Sequence, residues 1–205
     1  MRIILLLIVT ALISCKSDSS DSTASASENL KTEATGNKSA TKGKVETNFN
    51  KNGIPDACDL LTQETIAKYV GIPASSIMLA DGSSSKNDLQ RACFFKWDGS
   101  EIKNAGVMVQ VQQNPVAGDV PDYLTYMVQG LKTEGENTME GTNTKFEDWS
   151  GFGDDGAYST EVGKYVWRVG NDWAFMIAFN TTMSARDQQK AANAFAKEVM
   201  KRMTF

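Results

Sequence analysis

The chain has 205 residues, with 21 Lys and Arg against 25 Asp and Glu, no histidine and three cysteines. A formal net charge of -4 gives no electrostatic footprint for nucleic acid or for an anionic bilayer. The missing histidine removes the commonest general base, the Ser-His and Cys-His nucleophile pairs, and the usual metal ligand.

The first element in chain order is an apolar run, Ile3 to Ile13, broken only by Thr10 and preceded by Met1-Arg2. Such a run is about half of the roughly 20 residues that span hydrocarbon as a helix. With its short positive start it reads as a secretory signal over residues 1–14. Leu12-Ile13-Ser14-Cys15 closes the run and resembles the lipobox of bacterial lipoproteins. The resemblance implies a diacylglycerol thioether on Cys15, cleavage before it, and acylation of the new amino terminus. Each buried methylene contributes about 0.8 kcal/mol, so two or three chains hold where one binds reversibly. The competing reading is an ordinary signal peptide in which Cys15 is coincidental.

Lys16-Ser17-Asp18-Ser19-Ser20-Asp21 resembles the surface-export signal of Bacteroidetes lipoproteins, and Asp21-Ser22-Thr23 the short O-glycosylation motif of that phylum. A generic polar tether is the alternative for both. The expected location is therefore the bacterial cell envelope, on the periplasmic or surface face of the outer membrane, with the lipid on Cys15 as the membrane contact. From residue 15 to residue 52 the sequence is almost free of large apolar side chains. It cannot bury enough surface to offset chain entropy, which predicts a disordered tether reaching about 30–35 Å. Residues 53–205 make one domain length.

Cys58 and Cys93 form an even pair. In an oxidising compartment a disulfide is the simplest reading, against free core thiols or a zinc site that lacks further ligands.

Along the domain the patterns predict three helices and at least five strands. Thr62 can cap a first helix, with Leu61 and Ile66 at staple positions, Ile66, Tyr69 and Val70 as its core face, and Gly71 with Pro73 as its stop. Ala92 to Trp97 and Val107 to Gln113 read as strands, the second through the alternation of Val107, Val109 and Val111. A second helix starts near Pro121 and carries Val120, Tyr123, Leu124, Met127 and Leu131 at three-four spacing until Gly135. Ala157 to Thr160 continues as a strand, and Lys164 to Phe179 is the clearest hairpin. The hairpin has one bulky face and one narrow enough to receive a helix. Helix three is the candidate for that place, capped by Ser184 with Asp187 and striped by Ala192, Phe195, Ala196, Val199 and Met203. The expected fold class is α+β, a mostly antiparallel sheet flanked by helices.

Asp56-Ala57-Cys58-Asp59-Leu60-Leu61-Thr62, Ala92-Cys93-Phe94-Phe95-Lys96-Trp97 and Gly151-Phe152-Gly153-Asp154-Asp155-Gly156-Ala157-Tyr158 occur in that order before a closing helix. This order resembles uncharacterised lipoproteins first grouped in actinobacteria, which resemble the PsbP-like α/β/α sandwich. The resemblance implies that fold and no activity.

The chemistry-bearing candidates are few. Gly151 to Gly156 matches GxGxxG in form, but two aspartates inside the loop repel phosphate and a strand follows where a helix is needed. The glycines read instead as positive-φ turn positions. Asp154 and Asp155 with Trp149 remain the candidate binding residues; a calcium loop there lacks the alternating acidic pattern. Ser39-Ala40-Thr41-Lys42 and Ser83-Ser84-Ser85-Lys86 match SxxK without its companion motifs. Trp149, Phe152, Tyr158, Tyr165, Trp167 and Trp173 are placed by alternation mostly in the core, against an exposed binding patch. No cofactor or metal is expected. The function read from these residues is a non-enzymatic binding or accessory module with an envelope protein or glycan as partner. A hydrolase working through carboxylates is the alternative.

Overall fold

The computed structural model describes residues 53–99, 101–137 and 141–203. The signal segment, Cys15, the tether and Ser39-Ala40-Thr41-Lys42 lie outside the described residues.

Among the described residues three α-helices and nine strands follow in the order α1 (Gln63–Val70), β1 (Met78–Asp81), β2 (Gln90–Trp97), β3 (Ala105–Gln113), α2 (Tyr123–Thr133), β4 (Glu136–Asn137), β5 (Asn143–Thr144), β6 (Glu147–Asp148), β7 (Asp155–Ser159), β8 (Lys164–Val169), β9 (Trp173–Asn180) and α3 (Ala185–Arg202). Local chemistry sets the helix ends. The Thr62 hydroxyl accepts from the Thr65 N–H at 3.1 Å, and Gly71 closes α1 at φ 75°. Ser184 accepts from the Asp187 N–H at 3.2 Å and donates to its carboxylate at 2.7 Å, while Lys201 and Arg202 sit in the last turn of α3.

Seven strands form one sheet in the order β1-β2-β3-β9-β8-β7-β6, antiparallel at every pairing, and β4 with β5 forms a separate ribbon. The class is α+β, as expected. Two hairpins, β2–β3 and β8–β9, meet where Val109 faces Ile177. Because side chains alternate along each strand, Cys93, Phe95, Trp97, Val107, Val109, Val111, Tyr165, Trp167, Phe175, Ile177 and Phe179 share one face. That face forms the main core with α1 and α3. The opposite face presents Ala157, Val166 and Met176 to Val128, Met127 and Leu131 of α2.

The hairpin therefore corrects one expectation. Helix α3 packs on the bulky face, and the narrow face takes α2. The reason is volume matching. The buried stripe of α3 is largely alanine, with Ala191, Ala192 and Ala196, and leaves room for Trp167 and Phe179. Helix α2 brings Met127, Val128 and Leu131, which pack with Ala157 and Val166. Packing to organic-crystal density needs large side chains opposite small ones. Val120, expected on the α2 stripe, precedes the helix and is exposed.

Candidate functional site

Cys58 and Cys93 are disulfide-bonded, with Cα atoms 4.9 Å apart across 35 positions of sequence. Cys58 lies in a single 3-10 turn, Ala57–Asp59, held by the Asp56 carboxylate accepting from the Cys58 N–H at 2.8 Å. Cys93 is fully buried in β2. The bond ties the chain entering α1 to the sheet and leaves neither sulfur as a nucleophile or a metal ligand.

The acidic turn is built into the fabric of the fold. Trp149 is buried, its ring 4.9 Å from Phe152, 5.1 Å from Tyr165 and 5.6 Å from Trp167, and its Nε1–H donates to Asn193 at 2.9 Å. Asp154 accepts from the Gly170 N–H at 2.6 Å. Asp155 lies 2.6 Å from Lys132 Nζ and accepts from Gln129 at 2.7 Å. Burial works to raise the Asp155 pKa, but the Lys132 ammonium and the Gly156 and Gln129 donors overcome it and leave it below the ordinary 3.8. This pairing stabilises the fold above that ordinary value, and the contribution disappears as pH falls through the lowered native one. The turn walls a hollow of about 310 Å³ between Asp148 and Gly156.

Gly151 and Gly153 have φ of 98° and 63°, the positive values anticipated for this turn, whereas Gly156 lies within β7 and has no positive φ. A Cβ at Gly153 would collide with the Arg168 carbonyl, whereas one at Gly151 meets nothing within 4 Å. Gly153→Ala is expected to destabilise more than Gly151→Ala, by about 1–3 kcal/mol for the forced backbone shift. Urea unfolding of the two variants measures the difference. Equal losses would show that φ alone, and not the close approach, sets the need for glycine.

A second concavity was not foreseen in the sequence. A cleft of about 340 Å³ opens at one end of the sheet. It is walled by Val70 and Ile72 at the exit of α1, by the β2–β3 connection, and by Thr181, Thr182 and Met183 leading into α3. Register brings these segments together: Trp97 pairs with Ala105 and Gly106 with Asn180, so both connections leave the same end. Asn180 fastens them by donating to the Asn104 carbonyl at 3.1 Å. Trp97 and Ala105 are buried at the inner end, while Asp98 and Glu101 are exposed. No Lys or Arg is among the lining residues.

On the opposite sheet face are two furrows. One of about 220 Å³ runs along α2 past Met127, Leu131, Val166 and Met176, and one of about 290 Å³ lies over Phe94, Met108 and Ala178. The displaced pKa values fall outside the cleft and have structural causes. Hydrogen bonds to Ser83 lower Asp81, the bond to Glu147 raises Tyr158, and burial raises Tyr165. Among the described residues no three His, Cys, Asp or Glu side chains gather as a metal site, and no helix is long and apolar enough to cross a membrane. Comparison with protein families, curated proteins and solved structures finds no match to this chain.

Proposed function

We propose that the protein is a lipid-anchored lipoprotein of the bacterial cell envelope whose α+β domain is a non-enzymatic binding or accessory module. The observation that carries the location is the pairing of two features: the Leu12-Ile13-Ser14-Cys15 lipobox, and a domain whose Cys58 and Cys93 are joined. Disulfides persist in exported proteins and are rare where thiols are kept reduced. The membrane contact in this reading is the lipid on Cys15, at the outer membrane, with a tether up to residue 52. The finer fold assignment, the PsbP-like α/β/α sandwich, is supported by α1 and α3 on one face of the sheet and α2 on the other.

Binding is favoured over catalysis because Asp81, Asp155 and Tyr158 owe their displaced pKa values to structural partners, and Tyr165 to burial in the core, all outside the cleft. Active sites arrange such shifts inside the pocket. The carboxylate hydrolase stands as a second reading because Asp98 and Glu101 line one cleft. Both are solvent-exposed.

Cys15→Ser is expected to abolish incorporation of labelled palmitate in cells and to release the protein from the membrane fraction. Palmitate retained by the variant rules out the anchor. For the module, a pull-down from membranes with the lipid intact should capture a specific envelope protein or glycan. The hydrolase reading takes its place if Asp98→Asn eliminates a hydrolytic activity of the purified chain while its unfolding curve is unchanged.

A further inference from the structure

We propose that the cleft at the end of the sheet binds a small organic cation with an apolar body, such as an aralkylamine or the side chain of a basic residue. This assignment rests on the binding-module reading and names what that module takes.

The cleft joins two chemistries that one ligand must satisfy. Its wall includes Val70, Ile72, Trp97, Ile102, Ala105 and Met183, apolar surface that favours a hydrocarbon or aromatic body. Asp98 and Glu101 line the same volume, and among the described residues no Lys or Arg does. Among the described residues Asp98 and Glu101 are in no ion pair, whereas Asp148 and Asp155 pair with Lys132, Glu136 with Lys164, Asp154 with Arg168 and Glu198 with Arg202. A cleft holding two negative charges and no positive one attracts cations and repels anions. Thr182 carries an exposed hydroxyl that can accept from a further N–H of an amine, while the Thr181 hydroxyl already accepts from the Met183 N–H at 3.4 Å. The volume, about 340 Å³, falls in the range of small-molecule sites.

Isothermal titration of the mature full-length chain in detergent with three isosteric probes tests the assignment. The probes are 2-phenylethylamine, 2-phenylethanol and phenylacetate. The amine is expected to bind about tenfold more tightly than the alcohol, the scale of two exposed charge contacts, and phenylacetate not to bind measurably. The preference should shrink in 0.5 M salt, where screening is stronger. The Asp98→Asn/Glu101→Gln variant should lose the amine preference, binding amine and alcohol alike, with its thermal unfolding unchanged. Binding of phenylacetate as tight as that of the amine overturns the cation assignment, and so does the absence of binding by all three. A membrane pull-down distinguishes this from failure of the wider reading. If the double variant still captures the same partner as the natural chain, the module stands and the cleft is not its ligand site.

Discussion

Replacing both Cys58 and Cys93 by alanine is expected to lower the unfolding free energy of the domain by about 3–4 kcal/mol, measured by urea unfolding extrapolated to water, with a steeper slope because the unlinked denatured chain exposes more surface. The expectation comes from the unfolded chain. A bond across 35 positions removes loop-closure entropy from the denatured ensemble, and in the chain-entropy model that closure has about this value. The native side adds to it. Cys93 is fully buried in the main core, so its truncation also leaves unfilled space beside Phe95 and Val109. Domains of this size are stable by only about 5–15 kcal/mol. A double variant as stable as the natural chain would mean that the turn at Ala57–Asp59 is held against β2 by packing alone.

The second large effect lies in the aromatic layer. Trp167 is fully buried, stacked on Phe175 at 5.2 Å and edge-on to Trp149 at 5.6 Å, and its Nε1–H points to the Met200 sulfur at 3.3 Å. Trp167→Ala is expected to cost about 3–5 kcal/mol, the range for deleting a large buried ring. The loss is large here because the neighbours are held from both sides. Phe175 is fixed by pairing of β9 with β3 and β8, and α3 is fixed by its alanine stripe, so the space cannot close by collapse. Tyr126→Ala, at an exposed position of α2, should stay within about 0.5 kcal/mol. If Trp167→Ala falls in that small range as well, the layer is more deformable than its geometry suggests.

Legibility in the sequence followed the strength of the local pattern. The β8–β9 hairpin, the strand through Val107, Val109 and Val111, and the three helices all carry periodicity over at least two turns or three alternations, and each is present. Edge strand β1 was not expected: Met78-Leu79-Ala80-Asp81 is short and largely exposed, so no alternation marks it. Strands β4, β5 and β6 span two residues each, below what any periodicity can report. The choice of face for α3 was misjudged because it depends on the sizes of residues on another element. The Cys58–Cys93 bond was legible from the even count together with the expectation of an oxidising compartment. The cleft was not, because Ile72, Asp98 and Met183 come from three distant connections with no shared motif. The one local hint was Trp97 directly before Asp98-Gly99, an aromatic at the mouth of a hairpin.

The position of the disulfide also decides how the domain carries a mechanical load. Tension applied from the N-terminal side enters at buried Ile54 and reaches the Cys58 sulfur four residues later. From there the covalent path crosses to Cys93, in a strand flanked by β1 and β3 on both sides. The segment between the two cysteines, including all of α1, is short-circuited and bears none of the pull. A pull from that side is thus delivered into the middle of a sheet, where whole ladders must shear together. Helix α1 cannot be peeled away first.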